Sequence, residues 1–278
     1  MAIVLDFDGT ITTRDTIGML AEHAISFHKE HYDEDFSGAW KHILEAYGND
    51  YSDYVTNYPV TENQRTSLGE EAKFLNGLED LDLDSVRRVE ESRIFDRISP
   101  ADFFSDGVSA VGEGRVTLRP GISELLALAE SRGWPVYVVS VNWSRNFIEG
   151  VLHHLGTQME IYSNEVIPQG RISGPGGTSV LATSADKLRV LNDIPGLKGK
   201  SFVYFGDSST DLECLTACSG IVLSPTNDSS LLKTLSRIGL TAPHVKEGGK
   251  TDKLLWARDF KEVLETDVLS FLKSRPAA

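Results

Sequence analysis

Short apolar runs recur along the chain at Ala2 to Phe7, Val136 to Val141, Met159 to Tyr162, Ser201 to Phe205 and Gly220 to Leu223. Each has the length of a buried strand, and after residue 120 segments of helical period separate them. Pro120-Gly121 opens one such segment, in which Ile122, Leu125, Leu126, Leu128 and Ala129 follow helical spacing and Gly133 marks the stop. Further helices are expected at about 144–155, 185–193, 211–218 and 229–238. This alternation predicts an α/β fold, a doubly wound Rossmann-like parallel sheet with helices on both faces. The stretch from Lys250 to Leu272 carries Leu254, Leu255, Trp256, Phe260, Val263, Leu264 and Val268, and predicts one or two amphipathic helices closing the core.

Residues from Arg14 onward break the rhythm for about a hundred positions. They are polar, aromatic and helical in period, with Ile17, Leu20 and Ala24, then Val86 and Val89, at three-to-four spacing. Connections between a strand and the next helix are usually a few residues long, so this gap predicts an inserted helical domain. The expected partition is a core of residues 1–13 plus 116–278 and an insert of residues 14–115. Ser99-Pro100 has the form of an N-cap and first turn for the last helix of the insert.

The first strand ends in acid, as Asp6-Phe7-Asp8-Gly9-Thr10. Alternate strand residues face the same way, which puts Asp6 and Asp8 together at the carboxyl end of the strand, where open α/β sheets hold their ligands. Such a pair binds a metal or attacks a substrate. Three later strand ends carry chemistry too: Ser140 before Val141-Asn142-Trp143, Lys187 in the first turn of a helix, and Gly206-Asp207 running to Asp211 at a strand-to-helix turn. Taken singly, Ser140 reads as a polar strand end, Lys187 as a helix charge and Asp211 as an N-cap; taken together they make a site.

The 278 residues are 40% hydrophobic and carry a formal net charge of −14, so nucleic acid and anionic membranes are excluded as expected partners. An anionic substrate must be held by local cations, a metal or helix N-termini. Cys214 and Cys218 suit neither a disulfide framework nor a zinc site. No 18-residue apolar run and no basic leader are present, which predicts a soluble, cytoplasmic protein.

With its acids in this order, the chain resembles the haloacid dehalogenase superfamily of phosphotransferases. The four signatures of that superfamily occur in sequence as Asp6-Phe7-Asp8-Gly9-Thr10, Ser140, Lys187 and Gly206-Asp207 to Asp211. The insert is similar to the helical cap of the phosphoserine phosphatase-like branch, and Ser163-Asn164-Glu165 to a turn found there. The resemblance implies a magnesium-dependent phosphatase acting on a small-molecule phosphomonoester through an aspartyl phosphate. It makes Asp6 the nucleophile and Asp8 the acid that protonates the leaving oxygen and then the base for water. Asp6, Asp207 and the main-chain carbonyl of Asp8 would ligate Mg2+, with Asp211 binding it directly or through water. Ser140, with neighbouring amides at Val141 and Asn142, would hold the phosphoryl oxygens, Lys187 would neutralise charge, and Gly9 and Thr10 would shape the loop.

Elementary electrostatics agrees with this division. A carboxylate approaching a phosphate dianion at about 4 Å meets repulsion of about 8 kcal/mol at an effective dielectric near 20. A divalent cation and Lys187 would offset it. Glycines usual after the second-signature serine are replaced here by Val141-Asn142-Trp143, which argues against phosphoserine itself. The insert should choose the substrate, and its candidate substrate-binding residues nearest the first signature are Arg14 and Asp15, with Asp15 or Thr16 reading equally well as the N-cap of its first helix. His23, His28, His31 and His42 lack a consistent ligand spacing and read as a solvated helix face. Trp40, Tyr47, Tyr51, Tyr54 and Tyr58 read first as packing of the insert and second as an aromatic pocket. Two other classes remain open at this stage: a phosphotransferase or phosphonate-cleaving enzyme, for which Lys29 and Lys41 are the early lysines, and a non-catalytic phosphate-binding regulatory module.

Overall fold

A computed structural model describes residues 1–249 and 251–272. Its centre is a parallel sheet of six strands, β1 (Ala2–Leu5), β2 (Val136–Val139), β3 (Glu160–Tyr162), β6 (Phe202–Gly206), β7 (Ser219–Leu223) and β8 (Leu254–Ala257), in the order β3-β2-β1-β6-β7-β8. A second, antiparallel pair joins β4 (Glu165–Ile167) to β5 (Arg171–Ser173).

Alternate residues of β1 divide between two apolar clusters. Ile3 and Leu5 pack with Val138, Phe205 and Leu255 on one face, whereas Ala2 and Val4 pack with Val139, Tyr204 and Leu254 on the other. Both faces are therefore covered, which is why these strands read as unbroken apolar runs. The first cluster is closed by α6 (Ile122–Arg132), α7 (Arg145–Leu152), α11 (Phe260–Leu264) and α12 (Val268–Leu272), the second by α8 (Ser184–Asp193), α9 (Leu212–Ala217) and α10 (Ser230–Arg237). Gly121 and Gly133, both at positive φ, bound α6 at the expected places.

Between β1 and β2 run α1 (Ile17–Tyr32), α2 (Ser37–Asn57), α3 (Leu68–Asn76), α4 (Glu79–Ser92) and α5 (Pro100–Gly112). The Ser99 hydroxyl accepts the Asp102 N–H, as its position before Pro100 predicts. Helix α5 meets α7 backbone to backbone: a Cβ on Gly107 would stand 2.4 Å from the Phe147 carbonyl oxygen, and one on Gly150 would stand 2.1 Å from that of Phe104. Main chain cannot yield as a side-chain tip can. Gly150→Ala is therefore expected to lower stability by about 2 kcal/mol in urea denaturation, the overpacking outweighing the better helix propensity of Ala.

Two expectations are corrected here. Leu254–Ala257 is not helical but the edge strand β8, paired in parallel with β7 from Gly220↔Leu254 to Leu223↔Ala257. A four-residue apolar run buried on both faces carries no period that separates strand from helix. Helices α11 and α12 do follow it, and Lys250, where the predicted helix began, lies outside the described residues. His28 is not solvated but fully buried, its Nε2 lying 3.1 Å from the Ile94 carbonyl oxygen. Of the other histidines, His23 faces Asp106 at 3.4 Å and His42 is exposed. Among the described residues no helix is long and apolar enough to cross a membrane.

Candidate active site

The chain leaves β1 toward β2 and β3 on one side, then returns to β6 on the other. The crevice at the carboxyl ends of β1, β2 and β6 is the switch point at which such sheets bind ligands. Asp6 follows β1 directly, Ser140 follows β2 and Asp207 follows β6. The Asp6 N–H donates to the Phe205 carbonyl at 2.9 Å, so the sheet itself fixes where this carboxylate stands.

Lys187, fully buried on α8, donates to Asp6 Oδ1 at 2.6 Å and to Asp211 Oδ1 at 2.7 Å. The capping box of Thr183 and Asp186 starts α8 one turn before it. Burial by itself would push the Lys187 ammonium down, but the Asp211 and Asp6 carboxylates outweigh it and hold it well above the ordinary lysine range. Asp211 also accepts the Tyr204 hydroxyl at 2.7 Å and the main-chain N–H groups of Asp207 and Ser208 at 3.0 and 3.1 Å.

Asp6, Asp207 and Asp211 each present a carboxylate oxygen within 4.8 Å of the others. Burial and then the Asp211 charge raise both Asp6 and Asp207, the latter to about 7. Three carboxylates against one ammonium leave the cluster short of positive charge, and an all-oxygen donor set suits a hard divalent cation. Thr10 ties two of the acids, donating from Oγ1 to Asp207 Oδ1 at 3.0 Å and to Asp6 Oδ2 at 3.3 Å.

Asp8 stands apart from that cluster. Its Oδ1 accepts the Thr16 N–H at 2.8 Å and hydroxyl at 2.6 Å, and its Oδ2 accepts the Asn142 amide at 2.8 Å. Burial, with a further push from Asp15, still raises its carboxyl to about 6 against those hydrogen bonds. Two acids of one loop thus occupy different surroundings, one salt-bridged to a lysine and one held by neutral donors.

The loop bearing them requires Gly9. Its φ is +72°, and a Cβ there would fall 2.2 Å from Asp207 Oδ2. Arg119, buried just before the Pro120-Gly121 turn, donates to the Thr10 carbonyl at 2.9 Å, to the Gly9 carbonyl, and to the Arg258 carbonyl at 2.9 Å. Sequence reasoning passes over this arginine, because one of two arginines where the chain re-enters the core announces no partner. Thr16 and Tyr204 are missed for the same reason, since a single hydroxyl announces nothing.

Ser140 is buried, and its Oγ accepts the Asn142 N–H at 3.1 Å. The side chain of Asn142 is occupied as well, its carbonyl taking the Ser144 N–H at 3.0 Å while its amide reaches Asp8 and, at 3.1 Å, Thr16. Asn164, in the turn singled out above, clamps this loop by donating to the Val141 carbonyl at 3.0 Å and the Leu181 carbonyl at 2.9 Å.

Beside the acids opens a cavity of about 610 Å³. Its floor is the loops that carry the site, through Val141, Thr183, Ser184, Ser209 and Thr210, and Asp15 lies at its edge. Its roof is α1, α2 and α4, with Trp40, Tyr47 and Tyr51 in the lining. Tyr54 and Tyr58 instead pack on Phe74 at ring distances of 5.3 and 5.0 Å. Arg14 is exposed and does not line the cavity.

The comparison with known proteins bears directly on this arrangement, because residues 3–216 match the haloacid dehalogenase-like hydrolases. The chain belongs to that family. As a haloacid dehalogenase-like hydrolase it is 31% identical over 234 residues to a CTO1 family protein of Schizosaccharomyces pombe, covering 77% of this chain and 78% of that protein. It is 25% identical over 272 residues to Cold tolerance protein 1 of Saccharomyces cerevisiae, covering 85% and 83%. Among solved structures, a phosphoserine phosphatase in apo form matches with a TM-score of 0.51 and 16% identity over 95% of this chain and 97% of that one. The HAD family hydrolase t0658 of Salmonella enterica matches with a TM-score of 0.51 and 14% identity over 98% and 71%. These two share the fold of this hydrolase.

Proposed function

We propose that this hydrolase cleaves a small-molecule phosphomonoester by transfer of the phosphoryl group to Asp6 and then to water. The observation that carries the reading is the Lys187–Asp6 contact of 2.6 Å beside two further carboxylates, with Asp8 held separately. In the first step an Asp6 oxygen forms a bond to phosphorus as the ester oxygen departs, and Asp8 gives that oxygen its proton. In the second, Asp8 takes a proton from water, the water oxygen attacks phosphorus, and Asp6 leaves as carboxylate. Lys187 favours the carboxylate form of Asp6 before it attacks and neutralises it again as it departs. Ser140, whose Oγ accepts from Asn142, keeps its own proton to donate to a phosphoryl oxygen. Residues 14–115 act as a cap over residues 1–13 and 116–278, excluding bulk water while the acyl phosphate exists.

Asp6 and Asp207 would hold Mg2+, with the Asp8 carbonyl and with Asp211 binding directly or through water. The ion would supply positive charge that draws electron density from the phosphoryl group. The carboxylates provide a test independent of turnover. Because the Asp207 and Asp8 carboxyls are raised to about 7 and 6, the stability they contribute is present below the ordinary carboxylate range and is lost as pH rises through those values. The ion-free protein is therefore expected to melt lower at pH 8 than at pH 5.5. Mg2+ should restore about 2.7 kcal/mol at a hundredfold excess over its Kd at the higher pH, and less at the lower, where protons compete. A melting temperature indifferent to Mg2+ at both pH values would count against the ion site.

Hydrolysis of 4-nitrophenyl phosphate that requires Mg2+ and stops with a chelator tests the activity itself. The phosphonate-cleaving alternative finds no support in the early lysines: Lys29 and Lys41 are exposed and paired with Asp33 and Glu45.

A further inference from the structure

We propose that the alcohol this site releases is a ring-bearing one without negative charge, favoured further when it carries a positive charge. This rests on the hydrolase reading above, since it concerns the part of the substrate beyond the phosphate. The cavity of about 610 Å³ is far larger than a phosphate and a three-carbon alcohol would fill. Aromatic rings join aliphatic side chains in its walls: Trp143, from the loop after Ser140, meets Trp40 of α2 edge to face at 6.4 Å, and Tyr47 and Tyr51 follow two and three turns further along α2. Apolar walls of this kind recognise area rather than hydrogen bonds.

Charge narrows the choice. Asp15, Glu22 and Asp82 line the cavity, and among its described lining residues none is Lys, Arg or His. None of the three carboxylates has an ion-pair partner among the described residues; Asp15 accepts the Ile17 N–H at 2.9 Å and Asp82 the Tyr47 hydroxyl at 3.2 Å. On the hydrolase reading the phosphate would sit past Val141, Ser184 and Thr210, next to Lys187 and outside this cavity's lining, so only the leaving group would meet these acids. A carboxylate or second phosphate there would face three like charges with no cation to offset them. A cationic nitrogen would meet carboxylates and aromatic faces, both of which attract it.

Two esters decide the matter: 4-(aminomethyl)phenyl phosphate and 4-(carboxymethyl)phenyl phosphate, whose charges are insulated from the ring by a methylene so that the leaving oxygens are similar. We expect kcat/KM at neutral pH with Mg2+ to favour the amine by at least about tenfold, chiefly through KM. In the Glu22→Gln, Asp82→Asn double variant the preference should shrink to within about threefold, since both replacements keep the shape and the acceptor for Tyr47. Turnover of both esters with no preference, with the opposite preference, or with a preference the double variant leaves intact would overturn the inference. Calorimetry with the free phenols reads the cavity without chemistry. Tighter binding of the amine with no turnover of any ester would remove the hydrolase reading and keep the charge preference, whereas equal binding removes the preference whatever the turnover.

Discussion

Asp6→Asn is expected to reduce phosphomonoester turnover at least about a thousandfold while leaving the protein folded. The amide lacks the anionic oxygen that, on the proposed mechanism, bonds to phosphorus, and the two neighbouring carboxylates have other partners. Asp207 is tied by Thr10, and Asp211 is consumed by Lys187, Tyr204 and two main-chain N–H groups. The fold should tolerate the change because the Asn carbonyl still accepts from Lys187 and one of three mutually repelling carboxylates disappears. Circular dichroism and a melting temperature equal to or above that of the parent would establish that the loss is chemical. Parent-like turnover in a folded Asp6→Asn protein would remove Asp6 from the mechanism.

Asp8→Asn is the second large effect and has a different signature. Losing a general acid and base is worth about a hundredfold to ten-thousandfold, and the loss should be greatest for alkyl phosphates, whose leaving oxygen needs a proton. With 4-nitrophenyl phosphate the first step needs no proton, so the variant should release a burst of nitrophenolate close to the enzyme concentration and then stall. The Asn amide would also face the Asn142 amide, donor against donor, at a cost of about 1 kcal/mol in stability. In the parent, Asp8 must be protonated to serve an alkyl ester, and its carboxyl sits at about 6. The rate of transfer to Asp6 should therefore fall as pH rises through that value, and the fall should vanish in the variant. A variant equally slow on both classes of ester, without a burst, would assign Asp8 a structural role.

The acids were legible in the sequence because a strand buried on both faces has few reasons to end in two carboxylates, and because later strand ends repeated the pattern at Ser140 and Asp207. What distinguishes Asp8 from Asp6 was not legible. It depends on Thr16, eight residues away, and on Asn142, 134 residues away, meeting one carboxylate from two sides. Asn142 was expected at the phosphate through its main-chain amide, and what the sequence did not announce is that its side chain holds Asp8. The parallel sheet was read correctly at β1, β2, β3, β6 and β7, the short pair β4 and β5 was not foreseen, and β8 was missed, since Leu254–Ala257 has the length of a helical turn as well as of a strand. The aromatic residues of α2 share one helix and similar spacing but divide along its axis. Trp40, Tyr47 and Tyr51 reach the cavity, while Tyr54, and Tyr58 just past the helix end, meet Phe74, over whose ring the Arg65 guanidinium also lies at 3.7 Å. Periodicity reports the face of a helix; what lies opposite that face is decided by the chain elsewhere.

The central claim is that phosphate passes through Asp6. The most direct measurement is to quench the enzyme with acid during turnover, reduce with borohydride, and sequence the tryptic peptide Met1 to Arg14 by mass spectrometry. An acyl phosphate at Asp6 is reduced to homoserine, so the account predicts homoserine at position 6, Asp at position 8, and neither change without substrate. Sustained turnover with position 6 unmodified, or with homoserine at another position, would contradict it.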